Sequence, residues 1–166
     1  MGAASQSQGE AARKAAGAYN AAADYYDDPA LSFWDRFGAR TIERLELQPG
    51  WRVLDACCGS GASALRAAQR VRPGGSVLGV DLAENLLALA RQKAHKLRLA
   101  NVEFRAGDFL DHGLPDESFD AVVCVFGIFF AADMPKAVAE LWRLVRPRGK
   151  LAVTTWGPRL FEPANS

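Results

Sequence analysis

"VLDACCGSGASAL" occupies Val53–Leu65. It opens on an apolar run that suits a buried strand, and Ala62–Val71 beyond carries good helix formers. Between them stand Gly59 and Gly61, which permit positive φ and a close approach of backbone to a ligand. The helix that follows presents unpaired N–H groups at its start. Strand, glycine turn and helix in that order form half of a parallel βαβ unit, and this decides the fold class.

Outward from it the alternation continues. Strands are expected at Arg52–Ala56, Ser76–Val80, Val102–Ala106, Phe119–Phe126 and Lys150–Trp156. Helices are expected at Ala62–Val71, Glu84–Leu97 and Pro135–Val145, the last capped by Asp133 and stopped by Arg146-Pro147-Arg148-Gly149. The middle strands are almost wholly apolar, the sign of a parallel sheet covered on both faces. The class is therefore α/β, a doubly wound, mostly parallel sheet. Upstream, residues 1–9 read as a disordered polar tail and residues 10–48 as a helical cap. The cap holds an Ala-rich helix over Glu10–Tyr26. A second helix, opened by Asp27-Asp28-Pro29, carries Leu31, Trp34, Phe37, Ile42 and Leu45 at near-helical spacing. Residues 49–166 make the α/β domain, one domain together with the cap.

Composition narrows the function classes. The chain has 166 residues, 49% of them hydrophobic and 23% charged, with a formal net charge of +1. No Lys/Arg run marks a nucleic-acid partner. No apolar stretch of about 20 residues marks a membrane span, and no continuous apolar segment marks a signal peptide. Cys57, Cys58 and Cys124 are too few and too poorly spaced for a disulfide framework or a zinc site. A cytoplasmic chain with buried thiols is expected.

Gly59, Gly61 and Ala64 also spell G-x-G-x-x-A, the dinucleotide fingerprint, so the loop suits more than one adenosine cofactor. Asp81 ends the next strand 22 residues after Gly59, the offset of an acid that grips a ribose diol. Its structural alternative is a helix cap. NAD and S-adenosylmethionine both carry that diol. Asp55 favours the second, because a carboxylate suits an ammonium and a sulfonium better than a pyrophosphate. Asp108 stands where a carboxylate can accept from the adenine amine. The tip of "ESFDAVVCVFGIFF" carries aromatics in place of a hydride-transfer acid–base pair.

As an ordered set, Val53–Gly61, Asp81, Gly107-Asp108, Phe119-Asp120 and Arg146-Pro147-Arg148-Gly149 resemble the landmarks of class I S-adenosylmethionine-dependent methyltransferases. "CVFGIFFAADMPKAVAELWRLVRPRGKL" is similar to the branch that methylates ubiquinone and menaquinone precursors. The resemblance implies strand order 3-2-1-4-5 and the cofactor S-adenosyl-L-methionine. It implies that Asp55, Ala56, Cys57, Gly59 and Gly61 hold the methionine portion. Asp81 takes the ribose and Leu82 packs on adenine, while Asp108 and Phe109 meet the adenine edge. Val125 and Phe126 lie near the methyl group. The reaction implied is in-line methyl transfer with no obligatory catalytic side chain, His112 being a solvated loop residue. Tyr19, Tyr25, Tyr26, Phe33 and Trp34 are candidates for an aromatic lid.

Two departures from the pattern stand out. Cys57 replaces the first glycine of D-x-G-x-G-x-G, which threatens to squeeze the methionine end. The family sheet has two further strands, and this sequence ends ten residues after Trp156, so a sheet truncated after the fifth strand is expected. Its exposed edge predicts a homodimer. The alternative function is a non-catalytic cofactor-binding domain or partner subunit.

Overall fold

Five parallel strands form one sheet in the computed structural model of the chain, which describes residues 14–28, 32–111 and 113–157. The strands are β1 (Arg52–Ala56), β2 (Ser76–Asp81), β3 (Val102–Ala106), β4 (Phe119–Val125) and β5 (Val145–Thr154), in the order β3-β2-β1-β4-β5. Every neighbouring pair is parallel, with Val53 opposite Val77 on one side and Ala121 on the other. This is the expected order. The polar tail 1–9, Leu31, His112 and the segment after Gly157 lie outside the described residues.

Alternation along the central strands explains the two cores. Val53, Val77, Ala121 and Val123 pack into one cluster, with Ile42, Leu45, Leu87 and Ala90 from the helices on that face. Leu54, Leu78, Val122 and Cys124 point the other way and meet Ile128, Ala137 and Leu141. A strand buried on both faces has no polar side to alternate with, hence its continuous apolar sequence. Phe119 is fully buried, a gain of about 1.5–3 kcal/mol for such a side chain.

The helices are α1 (residues 14–21), α2 (Ala23–Tyr26), α3 (Phe33–Leu45), α4 (Ala64–Arg70), α5 (Glu84–Lys96) and α6 (Met134–Arg143). Asp133 caps α6 as expected, its carboxylate accepting from Lys136 N–H at 3.0 Å. Three expectations need correction. The Ala-rich segment is two helices broken at Ala22. The described start of α3 is Phe33, after Ser32; Asp27 instead accepts from Ser60 and pairs with Lys93. Finally, β5 starts at Val145 and ends at Thr154. Arg146–Gly149 is not a stop before the strand but an irregularity within it, between the pairs Phe119↔Val145 and Ala121↔Lys150. An ion pair from Arg146 to the buried Asp120 holds it. Gly149 is required there, since a Cβ would stand 2.7 Å from the Asp120 carbonyl oxygen. Among the described residues no helix is long and apolar enough to cross a membrane.

Candidate functional site

The carboxyl ends of β1, β2 and β4 open into one cavity, about 1010 Å³ of atom-free space with its open mouth included. The loop after β1 forms its floor. Cys57, Gly59 and Gly61 all have positive φ, at 59°, 52° and 89°, which turns the chain sharply between strand and helix. A side chain at Gly61 would be strained by its positive φ, and its Cβ would press on Leu65 at 3.1 Å.

Asp81 pins that loop. Its Oδ2 accepts from Gly59 N–H and its Oδ1 from Ala83 N–H, both at 2.8 Å. Asp81 does not cap α5, which starts after Ala83 and has no side-chain cap; each of its oxygens uses one lone pair on the backbone and retains capacity toward the cavity that it lines. Burial raises its pKa, against the backbone hydrogen bonds from Ala83, Gly59 and Leu82 that lower it. Leu82, Gly107, Asp108 and Phe109 continue the wall, Asp108 accepting from Leu110 N–H at 2.9 Å to hold its turn. Val125 and Phe126 bound the cavity at the tip of β4.

Asp55, Ala56 and Gly61 do not line the cavity. Asp55 is 1% exposed and accepts from Ser63 Oγ at 2.6 Å, so Ser63 stands between its carboxyl and the open space. Its Oδ1 has no hydrogen-bond partner. Burial pushes its pKa up to about 7, helped by the Asp81 charge and opposed by the Ser63 hydroxyl. Cys57 does reach the cavity, while Cys124 and burial push its thiol up. All three cysteines are free.

Tyr19, Tyr26 and Trp34 line the outer wall, with Ala15 and Ala16 of α1. Phe33 sits behind Trp34, ring centroids 4.2 Å apart, and Tyr25 is exposed. Ser60, Ser63, Leu86 and Phe130 also line the cavity without having been singled out. The serines are small residues in a loop read for its glycines. Leu86 and Phe130 look like core positions until the chain folds.

A family model described as "Methyltransferase domain" matches residues 53–149, which run from β1 into the β5 irregularity. The chain belongs to the class I S-adenosylmethionine-dependent methyltransferase family. This methyltransferase domain is 35% identical over 132 residues to nocamycin O-methyltransferase of Saccharothrix syringae, covering 80% of this chain and 47% of that protein. It is 36% identical over 112 residues to demethylmenaquinone methyltransferase of Listeria welshimeri, covering 68% of this chain and 48% of the relative. The crystal structure of a SAM-dependent methyltransferase from Aquifex aeolicus superposes with a TM-score of 0.68 at 27% identity, over 81% of this chain and 71% of that one. The chain spans about half the length of the curated relatives it matches.

Proposed function

We propose that this chain binds S-adenosylmethionine in the cavity and serves methyl transfer to a small molecule. The observation that carries this is the Asp81 carboxylate, fastened to Gly59 and Ala83 yet facing a cavity floored by a positive-φ loop. The residues present fit the cofactor. Asp81 would accept from the ribose hydroxyls, Leu82 and Phe109 would flank adenine, and Asp108 would accept from its amine. The backbone at Cys57 and Gly59, with Ala56 and Gly61 shaping the loop, would take the methionine end. Asp55 would act on it through Ser63, and Val125 and Phe126 would lie toward the methyl group.

When bound, the cofactor supplies a methyl group activated by a sulfonium leaving group. The chain's own work is to align an acceptor in line with that methyl and to exclude water, for which the ring wall is suited. Isothermal titration tests the reading: S-adenosylhomocysteine should bind at micromolar strength, and NAD binding more tightly would overturn it.

The alternative reading is cofactor binding without catalysis. A methyl-transfer assay with labelled cofactor separates the two outcomes. The reading also includes a cytoplasmic location, supported by three free thiols, and a homodimer. The dimer is supported by β5, which among the described residues pairs only with β4 and leaves its other edge open. Light scattering that shows a monomer at micromolar concentration would dismiss the dimer.

A further inference from the structure

Two thiols face one gap at the base of the cavity. Cys124 pairs with Ala56 across β4 and β1, so Cys57 follows that partner by one residue. Adjacent strands run about 4.8 Å apart, inside the span of about 4.4–6.8 Å between Cα atoms that a disulfide bridges. A Cβ placed on Gly127 would lie 2.6 Å from the Cys57 sulfur and 3.0 Å from the Cys124 sulfur. Because residue 127 is glycine, its side chain does not stand between them. A hydrogen bond with Cys124, and then burial, pushes the Cys57 thiol up.

The two sulfurs differ in access. Cys57 is partly exposed and lines the cavity, whereas Cys124 is fully buried. A reagent in the cavity therefore meets Cys57 first. Cys58 packs in the core on the opposite face of the sheet, with Val53 and Phe104, its sulfur 2.9 Å from where a Cβ on Gly79 would stand. Cys57 and Cys124 belong together to the other core. The sheet thus separates Cys58 from the pair.

We propose that Cys57 and Cys124 form a thiol–disulfide site, oxidised by small organic disulfides that enter through the cavity. The Cys57 thiolate attacks one sulfur of R–S–S–R, which forms Cys57–S–S–R and releases R–S⁻; that thiolate takes up the proton Cys57 gave away. The Cys124 thiolate then attacks the Cys57 sulfur and displaces the second R–S⁻, which takes up the Cys124 proton. The pair loses two electrons and two protons, and the reagent becomes two thiols. A Cys57 that keeps its proton attacks slowly, but its thiolate is also a poor leaving group, so the finished bond resists reduction. The link fastens the β1 loop to the tip of β4, two elements that bound the cavity. Transient disulfides of this kind occur in reducing compartments. Its shielding by cofactor rests on the site proposed above; the link itself does not.

Bis(2-hydroxyethyl) disulfide added to the folded full chain tests it. Peptide mapping should find Cys57 joined to Cys124 within one chain, with the loss of two hydrogens, and Cys58 still open to alkylation after denaturation. Cys124→Ser should stop at the mixed disulfide on Cys57, and Cys58→Ser should still form the link. S-adenosylhomocysteine at ten times its Kd should slow the reaction about tenfold by filling the cavity. A link that includes Cys58 or joins two chains, or three thiols left free after prolonged exposure, would overturn the proposal. If calorimetry shows S-adenosylhomocysteine bound and the rate is unchanged, entry through the cavity is overturned. If it does not bind, the cofactor reading falls and the mapped link alone decides the thiol site. Should a variant not fold, as judged by circular dichroism, the map of the unaltered chain decides.

Discussion

A Cβ added to Gly127 would stand 2.4 Å from the Cβ of Cys57 and 2.6 Å from its sulfur. Cys57 takes the place of a glycine in the loop pattern, and Gly127 supplies the room its side chain needs. The thiol is thus directed to Gly127 and Cys124, where that same Cβ would lie 3.0 Å from the Cys124 sulfur. The Cys57 side chain is therefore accommodated beneath the tip of β4.

Gly127→Ala should therefore destabilise the fold by about 1–3 kcal/mol, the usual cost of overpacking. Adding Cys57→Gly should return most of that loss, because the clash disappears along with a positive-φ side chain. Urea denaturation of the two single variants and the double variant measures the coupling. Strictly additive effects would mean that the two residues do not compete for this space.

Asp81→Ala should weaken S-adenosylhomocysteine binding by about 2–3 kcal/mol, since hydrogen bonds to a charged acceptor are worth roughly 1.5–3 kcal/mol. It should also lower the melting temperature, because Gly59 and Ala83 N–H lose their acceptor. Calorimetry and a thermal melt read the two effects. Unchanged affinity with a lowered melting temperature would reduce Asp81 to a purely structural pin.

Asp55 predicts a pH dependence of stability. Its pKa is about 7 in the fold against an ordinary 3.8. The folded state thus holds the proton more tightly than the unfolded state between these values. The associated stability is fully present below the lower value and is lost as pH rises through the upper one. Asp55→Asn removes the titration. The stability of the wild-type chain relative to this variant should fall between pH 4 and pH 8, as read from urea midpoints. A difference that stays flat or grows would contradict a buried, proton-retaining Asp55.

Lys93→Met should leave global stability within about 1 kcal/mol, as expected for a partly exposed ion pair. It should nonetheless loosen the segment that closes the cavity, because Lys93 ties α5 to Asp27 and Ser60. Chymotrypsin should cut faster at the exposed Tyr25 in the variant. An unchanged rate would assign the hold to the bonds between Asn85 and Asn20 and to the packing of Ala23 on Leu86.

Strand positions were legible because burial on both faces demands continuous apolar runs, as in Phe119–Val125. Arg52–Ala56 matches its expected bounds for the same reason; Val102–Ala106 matches too, but as an edge strand in which only Phe104 is buried. The start of β5 was not legible. Arg146, Pro147 and Gly149 look like a stop, and only the ion pair to Asp120 and the crowding at Gly149 make them part of the strand. The placement of Asp81 at the end of β2 was readable from its spacing to Gly59. Its bond to the Gly59 N–H was not, because that depends on how far β2 extends beside β1.

By itself, then, the sequence determined the α/β class, the strand order through its family pattern, and the loop and acids that converge at the carboxyl ends of the strands. These follow from local signals: periodicity, glycine spacing and the polarity of single positions. Tertiary structure alone decided that Asp55 lies behind Ser63, that Cys57 fits because position 127 is glycine, and that Tyr26, Trp34 and Phe126 share one wall. Each of these joins side chains from separate elements, and no spacing along the chain encodes the distance between two elements that meet only when the sheet and its helices pack.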